Sequence, residues 1–323
     1  MSTNCQAIGV EIGGTTLRIG LVDEKGNVGH TIRLSSSDLY NQNTATERLI
    51  VHITEFLWEI QKSFDECNGI GIAAAGYVDN NAKTMVVASN LGWRNFALGR
   101  EVEDLIGKPV VMDKDTNMAA LGEFSVGAGR SLSSFIYVAL GTGVGGAIIH
   151  EGRLLRGRRN SGGDFGHVFA GGDWKCGCGF VGCLETVAGG VAIARKAREA
   201  IEAGSKSIIT DLVNNKPSDI TAQTVAKASS EGDALARQIL TEAGNAVGVA
   251  LVNIIRMVGP EAVILGGSVG KVKEIFETVK AYVEENSAFP GTDLPPVKVL
   301  PAALGDSAAI IGAGLVCSKL LPD

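Results

Sequence analysis

The chain has 323 residues, of which 45% are hydrophobic and 20% are charged, and its formal net charge is −6. This length allows one large or two medium domains with a sizeable core. The acidic balance excludes a general nucleic-acid binder, which needs a basic surface. No uninterrupted apolar run approaches the ~20 residues of a membrane-spanning helix. The N-terminus does not resemble a signal peptide, so we expect a cytoplasmic protein without a membrane segment.

The first elements predict a meander of short strands joined by a glycine turn. Strands are predicted over 7–12, 17–22 and 28–34. The first turn has the sequence Gly13-Gly14-Thr15-Thr16. Glycine lets backbone N–H groups approach phosphate oxygens, and threonine hydroxyls add donors. The turn therefore predicts a phosphate-binding loop, although a tight hairpin without a ligand would have the same pattern.

The next elements lead to a pair of aspartates. A helix is predicted over 47–64, buried strands over 69–75 and 110–112, and a second helix over 118–124. Asp115 lies between the strand predicted over 110–112 and the helix predicted over 118–124, which would place its carboxylate at the mouth of a cleft. Asp113 is an alternative, and strand alternation alone does not decide between them.

A second unit of strand, glycine turn and strand follows. The strand 135–140 runs into Gly141-Thr142-Gly143-Val144-Gly145-Gly146, and a strand over 147–149 comes next. These glycines match G-x-G-x-x-G, but a dinucleotide fingerprint must open a helix. Because a strand follows here, we expect a second phosphate loop. The two loops, with Gly266-Gly267 after a strand over 262–265, predict a duplicated architecture that grips a polyphosphate between its halves.

Four arginines follow the second loop: Arg153, Arg156, Arg158 and Arg159. A solvated loop is the simpler interpretation of this cluster. An anion-attracting rim is the alternative, and it would make nucleotide binding depend on salt.

The most informative segment is GHVFAGGDWKCGCGFVGCLE, residues 166–185. It holds three thiols and one imidazole, those of Cys176, Cys178, Cys183 and His167. Three thiolates and one imidazole complete a tetrahedral zinc shell and leave no position for water, so the predicted zinc is structural. The neighbouring Asp164 and Glu185 would be held rigidly for another purpose. Three thiols that pair or stay free are the alternative. Beyond this segment the chain is predicted to be mostly helical, with helices over 185–203 and 234–257.

Together these motifs resemble those of ROK-family sugar kinases, the group that contains bacterial glucokinases within the actin/hexokinase superfamily. EIGGTTLRIGLVD resembles the first phosphate motif, ALGTGVGG the second, AVILGG the adenosine motif and ASNLGW the sugar-side segment. The cysteine segment resembles the family signature and is the most specific of these motifs. The similarity covers nearly the whole chain.

The resemblance implies an α/β fold of the actin-like/hexokinase (ribonuclease H-like) type, with two domains and an interdomain cleft. The first domain would comprise residues 1–118 and about 303–323, with the first phosphate loop and the catalytic aspartate. The second, 119–302, would hold the second loop, the zinc site and the adenosine motif. The family commonly forms homodimers, so a homodimer or higher homo-oligomer is expected.

The resemblance also implies roles for individual residues. Asp115 aligns with the general base that takes the proton of a hexose 6-hydroxyl as this oxygen attacks the γ-phosphate of ATP. The sugar-contacting positions are Gly76, Asn90, Lys114, Asp115, Asp164, His167 and Glu185. The ATP-binding positions are Gly13, Gly14, Thr15, Thr16, Gly141, Thr142, Gly143, Gly266 and Gly267. Magnesium would accompany ATP, and zinc would be held by His167, Cys176, Cys178 and Cys183.

Three positions depart from the usual glucokinase pattern. Glu11 and Asp164 exchange aspartate and glutamate relative to the family, and Lys114 stands where asparagine usually precedes the base. From the resemblance we expect an ATP-dependent kinase for glucose. Because of the three departures, fructose, mannose and N-acetylated or amino hexoses are the alternative substrates. A non-catalytic sugar sensor is a further alternative. A DNA-binding repressor is not expected, because the first phosphate strand begins near residue 7.

Overall fold

The computed structural model describes residues 6–81, 83–289 and 291–319, so the outermost parts of the predicted first domain, 1–5 and 320–323, lie outside the described residues. The chain separates into two compact units. The first comprises Met1–Leu132, Ala147–Gly162 and Ala303–Asp323, and the second comprises Ser133–Gly146 and Gly163–Ala302.

In chain order, the strands are β1 Gln6–Ile12, β2 Thr16–Asp23, β3 Val28–Ser35, β4 Ile70–Ala74, β5 Tyr77–Asp79, β6 Thr84–Ala88, β7 Trp93–Phe96, β8 Val110–Lys114, β9 Phe135–Leu140, β10 Val144–His150, β11 Arg153–Leu154, β12 Ala262–Gly266 and β13 Lys298–Pro301. The helices are α1 Gln42–Glu59, α2 Leu98–Ile106, α3 Asp115–Val126, α4 Glu185–Ala188, α5 Gly190–Glu202, α6 Ile209–Leu212, α7 Ala222–Ser230, α8 Ala234–Val258, α9 Lys273–Asn286 and α10 Ala308–Lys319.

The first unit is built on a five-stranded sheet with the order β3-β2-β1-β4-β8. The first three strands are antiparallel, as the glycine turn and the short loops predict, whereas β1, β4 and β8 are parallel. Ile12 lies opposite Ala74, which lies opposite Lys114. The carboxyl ends of three strands therefore meet at one edge, where open α/β sheets usually place their ligands.

Helices α3 and α10 pack closely together in this unit. A β-carbon on Gly312 would lie 1.7 Å from the carbonyl oxygen of Met118, so a side chain there would force the helices apart. Helix α10 also lies against the sheet, where a β-carbon on Gly71 would come 2.0 Å from the carbonyl oxygen of Ala313. The predicted domain boundary at residue 118 falls inside α3, which remains whole within the first unit.

A separate three-stranded sheet, β5-β6-β7, lies in the first unit and was not expected from the sequence. Its strands are short, so the alternating pattern is too brief to stand out. Trp93 anchors it: the indole is 1% exposed, and its Nε1 donates to the carbonyl oxygen of Leu39 across 2.8 Å. The ring also packs edge-on against Phe96.

The second sheet has the order β11-β10-β9-β12-β13, and the division between the units falls within β10. In the second unit β9, β12 and β13 are parallel. Helix α8 packs there against α7 and α9. It is long and apolar enough to cross a membrane by length and composition, but 56% of its apolar window is buried, as in a core helix.

Three helices differ from the sequence prediction, one of them α3, which begins at Asp115 and not at residue 118. Helix α1 begins at Gln42, after the Asn41 side chain accepts a hydrogen bond from the N–H of Asn43, and it ends at Glu59 before the left-handed Gln61. The helix predicted over 185–203 is interrupted at Gly189, whose backbone is extended. The N–H of Gly190 then donates to the carbonyl oxygen of Gly141, so the break ties α5 to the second glycine turn.

Candidate functional site

Three turns of the first unit lie at the edge formed by β1, β4 and β8. The turn after β1 is closed by Gly13, whose N–H donates to the carbonyl oxygen of Thr16 across 2.9 Å. Thr15 is exposed at its tip. Ala75 after β4 donates its N–H to the carbonyl oxygen of Ile12. Asp115 follows β8 and opens α3. The predicted first phosphate loop and the predicted base therefore lie on the same edge.

Asn90 lies against the first glycine turn. A β-carbon on Gly14 would come 2.8 Å from the β-carbon of Asn90, so the turn passes this side chain only because it carries a glycine. The carbonyl oxygen of Gly14 accepts a hydrogen bond from the Tyr40 hydroxyl. Gly76 has φ +153, and a β-carbon there would lie 2.4 Å from the carbonyl oxygen of Val87, which leaves no room for a side chain. The sequence-predicted positions 13–16 and 90 are therefore brought together.

Charged groups surround this edge. Glu11 on β1 pairs with Arg18 on β2 across 2.8 Å, and Arg18 also donates to the carbonyl oxygen of Asp306. Burial raises the pKa of Glu11 above its ordinary value; Arg18 partly offsets this, and the charge of Asp115 raises it further. The carboxylate of Glu11 is an oxygen ligand of the kind that magnesium accepts.

Asp113 and Asp115 have different environments, although the sequence pattern alone did not separate them. Asp113 is 1% exposed, and both its oxygens are held by hydrogen bonds, one of them to Arg156 Nε across 2.8 Å. Asp115 is half-buried, and its Oδ1 accepts a hydrogen bond from the N–H of Thr116. Arg156 is thus the partner of a buried carboxylate. The prediction that it belongs to a solvated loop or to an anion-attracting rim is wrong for this arginine. Arg153, Arg158 and Arg159 are exposed.

Lys114 lies between these aspartates and is only 5% exposed. Its ammonium group donates to the carbonyl oxygen of Gly162 across 3.4 Å. A buried ammonium is costly unless it finds hydrogen-bond acceptors, so this side chain gives the edge a donor where an amide could both donate and accept.

The cysteine segment of the second unit brings its four predicted ligands together. The ligand atoms of His167, Cys176, Cys178 and Cys183 all lie within 4.8 Å of one another. The hairpin turns tightly at Gly179, with φ +100, and the N–H of Cys176 donates to the carbonyl oxygen of Phe180. The described cysteines form no disulfide.

The distances within this cluster fit a tetrahedral zinc ion. Two sulfurs bound to one zinc lie about 3.8 Å apart, and a sulfur and a nitrogen about 3.6 Å apart. Here the sulfurs of Cys178 and Cys183 are 3.6 Å apart, and Cys176 Sγ lies 3.5 Å from His167 Nδ1. His167 therefore turns Nδ1 toward the cluster, which leaves Nε2 for another partner.

The thiols are unequal. Burial and the neighbouring sulfurs raise the pKa of Cys183 to about 12, and burial also raises that of Cys176. Burial also acts on Cys178, but hydrogen bonds from Phe180 and the other thiols lower its pKa. Zinc binds thiolates, so a cation at this cluster would displace the protons of Cys176 and Cys183, whose pKa values are raised.

Glu185 joins the cysteine cluster to the second glycine loop. Its Oε2 accepts a hydrogen bond from the N–H of Val144 across 3.1 Å, and its Oε1 lies 3.9 Å from Cys176 Sγ. A β-carbon on Gly143 would come 2.0 Å from Glu185 Oε2. Asp164 lies at the start of the short turn that carries His167, whose N–H donates to the carbonyl oxygen of Asp164.

The second loop opens onto a cleft of about 280 Å³ in the second unit. Thr142 is exposed at the tip of the loop, and a strand follows it, as predicted, so the glycines do not form a dinucleotide fingerprint. The cleft is lined by Gly141, Thr142, Gly190, Val191, Ala194, Arg198, Ile220, Thr221, Ala222, Gln223 and Val269. The cleft therefore lies directly beside the second glycine loop.

Gly266 and Gly267 lie next to this cleft but do not line it. Gly267 has φ +82, and a β-carbon there would come 2.1 Å from the carbonyl oxygen of Leu140. That same carbonyl accepts a hydrogen bond from Val269, which does line the cleft. The glycine pair therefore shapes the turn that presents Val269.

Several residues around these sites are not predicted from the sequence alone. They are Arg18, Asn117 and Asn160 in the first unit, and Arg198, Ile220, Thr221 and Gln223 at the cleft. The spacing of Asp113 and Asn117 by four on a strand-to-helix turn is a signal for Asn117 alone. The cleft residues come from α5 and from the start of α7, and no local pattern joins them.

Known proteins with similar sequences and structures belong to one family. The model of the ROK family matches residues 7–319. A glucokinase of Halalkalibacterium halodurans is 31% identical over 95% of this chain and 93% of its own length. The crystal structure of a ROK family glucokinase from Streptomyces griseus, in complex with glucose and AMPPNP, has a TM-score of 0.84 at 30% identity and covers 97% of this chain and 99% of that one.

A putative xylose repressor from a Caldicellulosiruptor species is 27% identical over 97% of this chain and 78% of the repressor. The similarity therefore extends to regulators as well as to enzymes. The predicted α/β fold of the actin-like/hexokinase type is confirmed by the structural similarity to the glucokinase.

Proposed function

Since the chain belongs to the ROK family and is a sugar kinase, we propose that it is a glucokinase that transfers the γ-phosphoryl group of ATP to the 6-hydroxyl of glucose. The observation that carries this proposal is the difference in burial and hydrogen bonding between Asp113 and Asp115. Asp113 is sealed in a hydrogen-bonded network, whereas Asp115 is half-buried on the edge that carries the first glycine turn. The sugar kinase relatives support the reaction class.

Asp115 is the general base of the proposed reaction. Its carboxylate takes the proton of the 6-hydroxyl as the oxygen attacks the γ-phosphorus, and the bond to the β,γ-bridging oxygen breaks. Phosphoryl transfer otherwise needs alignment and charge neutralisation. The N–H groups and hydroxyls of the two glycine turns supply donors for the phosphates. The cleft beside the second loop would hold the nucleoside.

Magnesium, when bound with ATP, would neutralise the phosphate charge. Glu11 offers a carboxylate oxygen for it, and magnesium commonly takes one or two carboxylates together with substrate phosphates. The ion pair of Glu11 with Arg18 holds its carboxylate on this edge.

The proposed sugar contacts are the side chains of Asn90, Lys114, Asp164, His167 and Glu185 and the backbone at Gly76. A carboxylate can accept hydrogen bonds from two neighbouring hydroxyls, which suits Asp164 and Glu185 to this task. His167 would bind zinc through Nδ1 and offer Nε2 to the sugar. Zinc, held by that nitrogen and three sulfurs, would stabilise the loop and take no part in the reaction.

A kinase for another hexose is the second candidate, because Lys114 is buried at a position where the family usually has asparagine. Fructose, mannose and N-acetylated or amino hexoses belong to this candidate. We also propose a homodimer or higher homo-oligomer in the cytoplasm, where the free thiols would stay reduced.

The test is ADP release by the purified protein across a panel of hexoses, each with ATP, with zinc content measured on the same sample. We expect the highest kcat/KM for glucose. Highest activity with another hexose would favour the second candidate. Sugar binding without ADP release would favour a sugar sensor and contradict the proposal.

A further inference from the structure

The buried carboxylate of Asp113 is the centre of a network that the proposed mechanism does not use. Its Oδ1 accepts hydrogen bonds from the N–H of Lys114, from Asn117 Nδ2 and from Asn160 Nδ2, across 2.7, 2.8 and 2.7 Å. Its Oδ2 accepts one from Arg156 Nε across 2.8 Å. A carboxylate that is 1% exposed remains stable only when it is paired and fully hydrogen-bonded.

Asn160 is the unusual member of this network. It has φ +53, in the left-handed region that asparagine enters more readily than most residues with a side chain, and it is 5% exposed. Its Nδ2 donates to Asp113 and also to the carbonyl oxygen of Val78, and its Oδ1 accepts from Asn117 Nδ2 across 3.1 Å. A buried amide that is hydrogen-bonded through both its nitrogen and its oxygen has a fixed orientation.

The network fixes one loop to one turn. The loop, residues 156–162, touches the turn between β8 and α3 at three places: through Arg156, through Asn160 and through the carbonyl oxygen of Gly162, which accepts from Lys114 Nζ. The loop is closed on itself, because the N–H of Gly162 donates to the carbonyl oxygen of Arg156. The turn it holds is the one from which Asp115 projects.

We propose that Asn160 and Arg156 are positioning residues that set the direction of the Asp115 carboxylate by clamping Asp113 and the start of α3. Neither is proposed to touch the substrate. The base must lie within hydrogen-bond reach of the sugar hydroxyl, and a displacement of about 1 Å can lower a rate by about a hundredfold. This inference rests on the proposed role of Asp115 as base.

The first test replaces Asn160 by glycine, which keeps the left-handed backbone and removes the amide. We expect kcat to fall at least about tenfold, with the KM for ATP within about twofold of the natural protein. Asn214→Gly is the matched control, because Asn214 also has a positive φ, of +50, but is exposed in the second unit. That control should keep the natural kcat. Unchanged kcat in Asn160→Gly, measured per folded molecule, would overturn the proposal.

The second test uses Arg156, in case the first variant folds poorly. Arg156→Lys keeps a cation that reaches Asp113, whereas Arg156→Met removes it. We expect the lysine variant to retain most of the kcat that the methionine variant loses. A purely structural role would lower the melting temperature of both variants and leave their kcat per folded molecule equal, which would contradict the proposal.

Amide hydrogen exchange over residues 113–118 distinguishes this proposal from the proposed function. We expect faster exchange in Asn160→Gly than in Asn214→Gly, whether or not the protein turns over a given hexose. A natural protein without kinase activity would refute only the proposed reaction, whereas unchanged exchange in Asn160→Gly would refute the clamp.

Discussion

The carboxylate of Glu185 accepts a hydrogen bond from the N–H of Val144, while its second oxygen lies 3.9 Å from the sulfur of Cys176. One side chain therefore joins the cysteine cluster to the first residue of β10, directly after the second glycine loop. A zinc ion that fixes Cys176 would also restrict Glu185 and, through it, the loop. The metal site and the phosphate loop should therefore be coupled.

Removal of the metal is the first prediction. Cys183→Ser should abolish stoichiometric zinc binding and raise the KM for ATP, because Glu185 loses its fixed neighbour. The melting temperature should fall by at least ~5 °C, since each kcal/mol lost shifts a domain of this size by about 2–4 °C. Zinc analysis, calorimetry and steady-state kinetics measure these effects. Cys67→Ala, a buried thiol in the first unit, is the control for zinc content; full zinc in Cys183→Ser would contradict the assignment.

The two glycines of the second loop should differ in their tolerance of a side chain. A β-carbon on Gly143 would meet Glu185 Oε2 at 2.0 Å, whereas one on Gly141 has open space within 4 Å. We expect Gly143→Ala to raise the KM for ATP by about tenfold or more, the size of effect that a displaced positioning group produces. Gly141→Ala should raise the KM for ATP less than Gly143→Ala does, because its methyl group meets no atom within 4 Å. Equal values for both variants would show that Glu185 does not support the loop.

Lys114 should influence which hexose is chosen. Its buried ammonium only donates hydrogen bonds, whereas the asparagine usual in the family also accepts them. We expect Lys114→Asn to change the ratio of kcat/KM between glucose and other hexoses by about tenfold, within the range for one hydrogen bond in a binding site. Lys108→Asn is the control. An identical sugar profile would exclude Lys114 as a determinant.

Glu11 should make stability depend on pH. Its pKa is raised above 4.5 by burial, so the folded protein holds the proton more tightly than the unfolded chain does. The stability from this group is present at low pH and is lost as the pH rises through the folded-state pKa. Glu11→Gln does not ionise, so its melting temperature should exceed that of the natural protein by about 2–4 °C at pH 8, with a smaller difference near pH 4. A difference that grows toward low pH would contradict this.

Much of the first unit could be predicted from local patterns. The strands around Gly13 and Gly14 and the strand-to-helix turn at Asp115 follow from glycine placement and apolar periodicity, although α3 begins at Asp115 and not at the predicted residue 118. The four zinc ligands could also be found, because three thiols and an imidazole lie within one short segment. The short sheet with Trp93 could not, because its strands are too brief to show a pattern and depend on a tertiary contact with Leu39.

The identity of the base needed more than the pattern. Asp113 and Asp115 look equivalent in the sequence, and only the resemblance to the family chose between them. The structure supplies a physical reason, because Asn117, Arg156 and Asn160 all donate hydrogen bonds to the carboxylate of Asp113. Two of these partners lie more than 40 positions away, as Arg156 and Asn160 are separated from Asp113 by 43 and 47 residues. The sequence predicts the arginine cluster as a surface feature because the partner of Arg156, Asp113, is 43 positions away.

The role of Asp115 as base is tested by the turnover of Asp115→Asn with glucose and ATP, compared with that of Asp104→Asn, since Asp104 is an exposed aspartate on α2. We expect Asp115→Asn to lose at least about a hundredfold in kcat, the usual size of a general-base contribution, and to keep its fold and zinc. Asp104→Asn should keep the natural rate. A kcat for Asp115→Asn within a fewfold of the natural protein would contradict the central claim that this carboxylate takes the proton of the sugar.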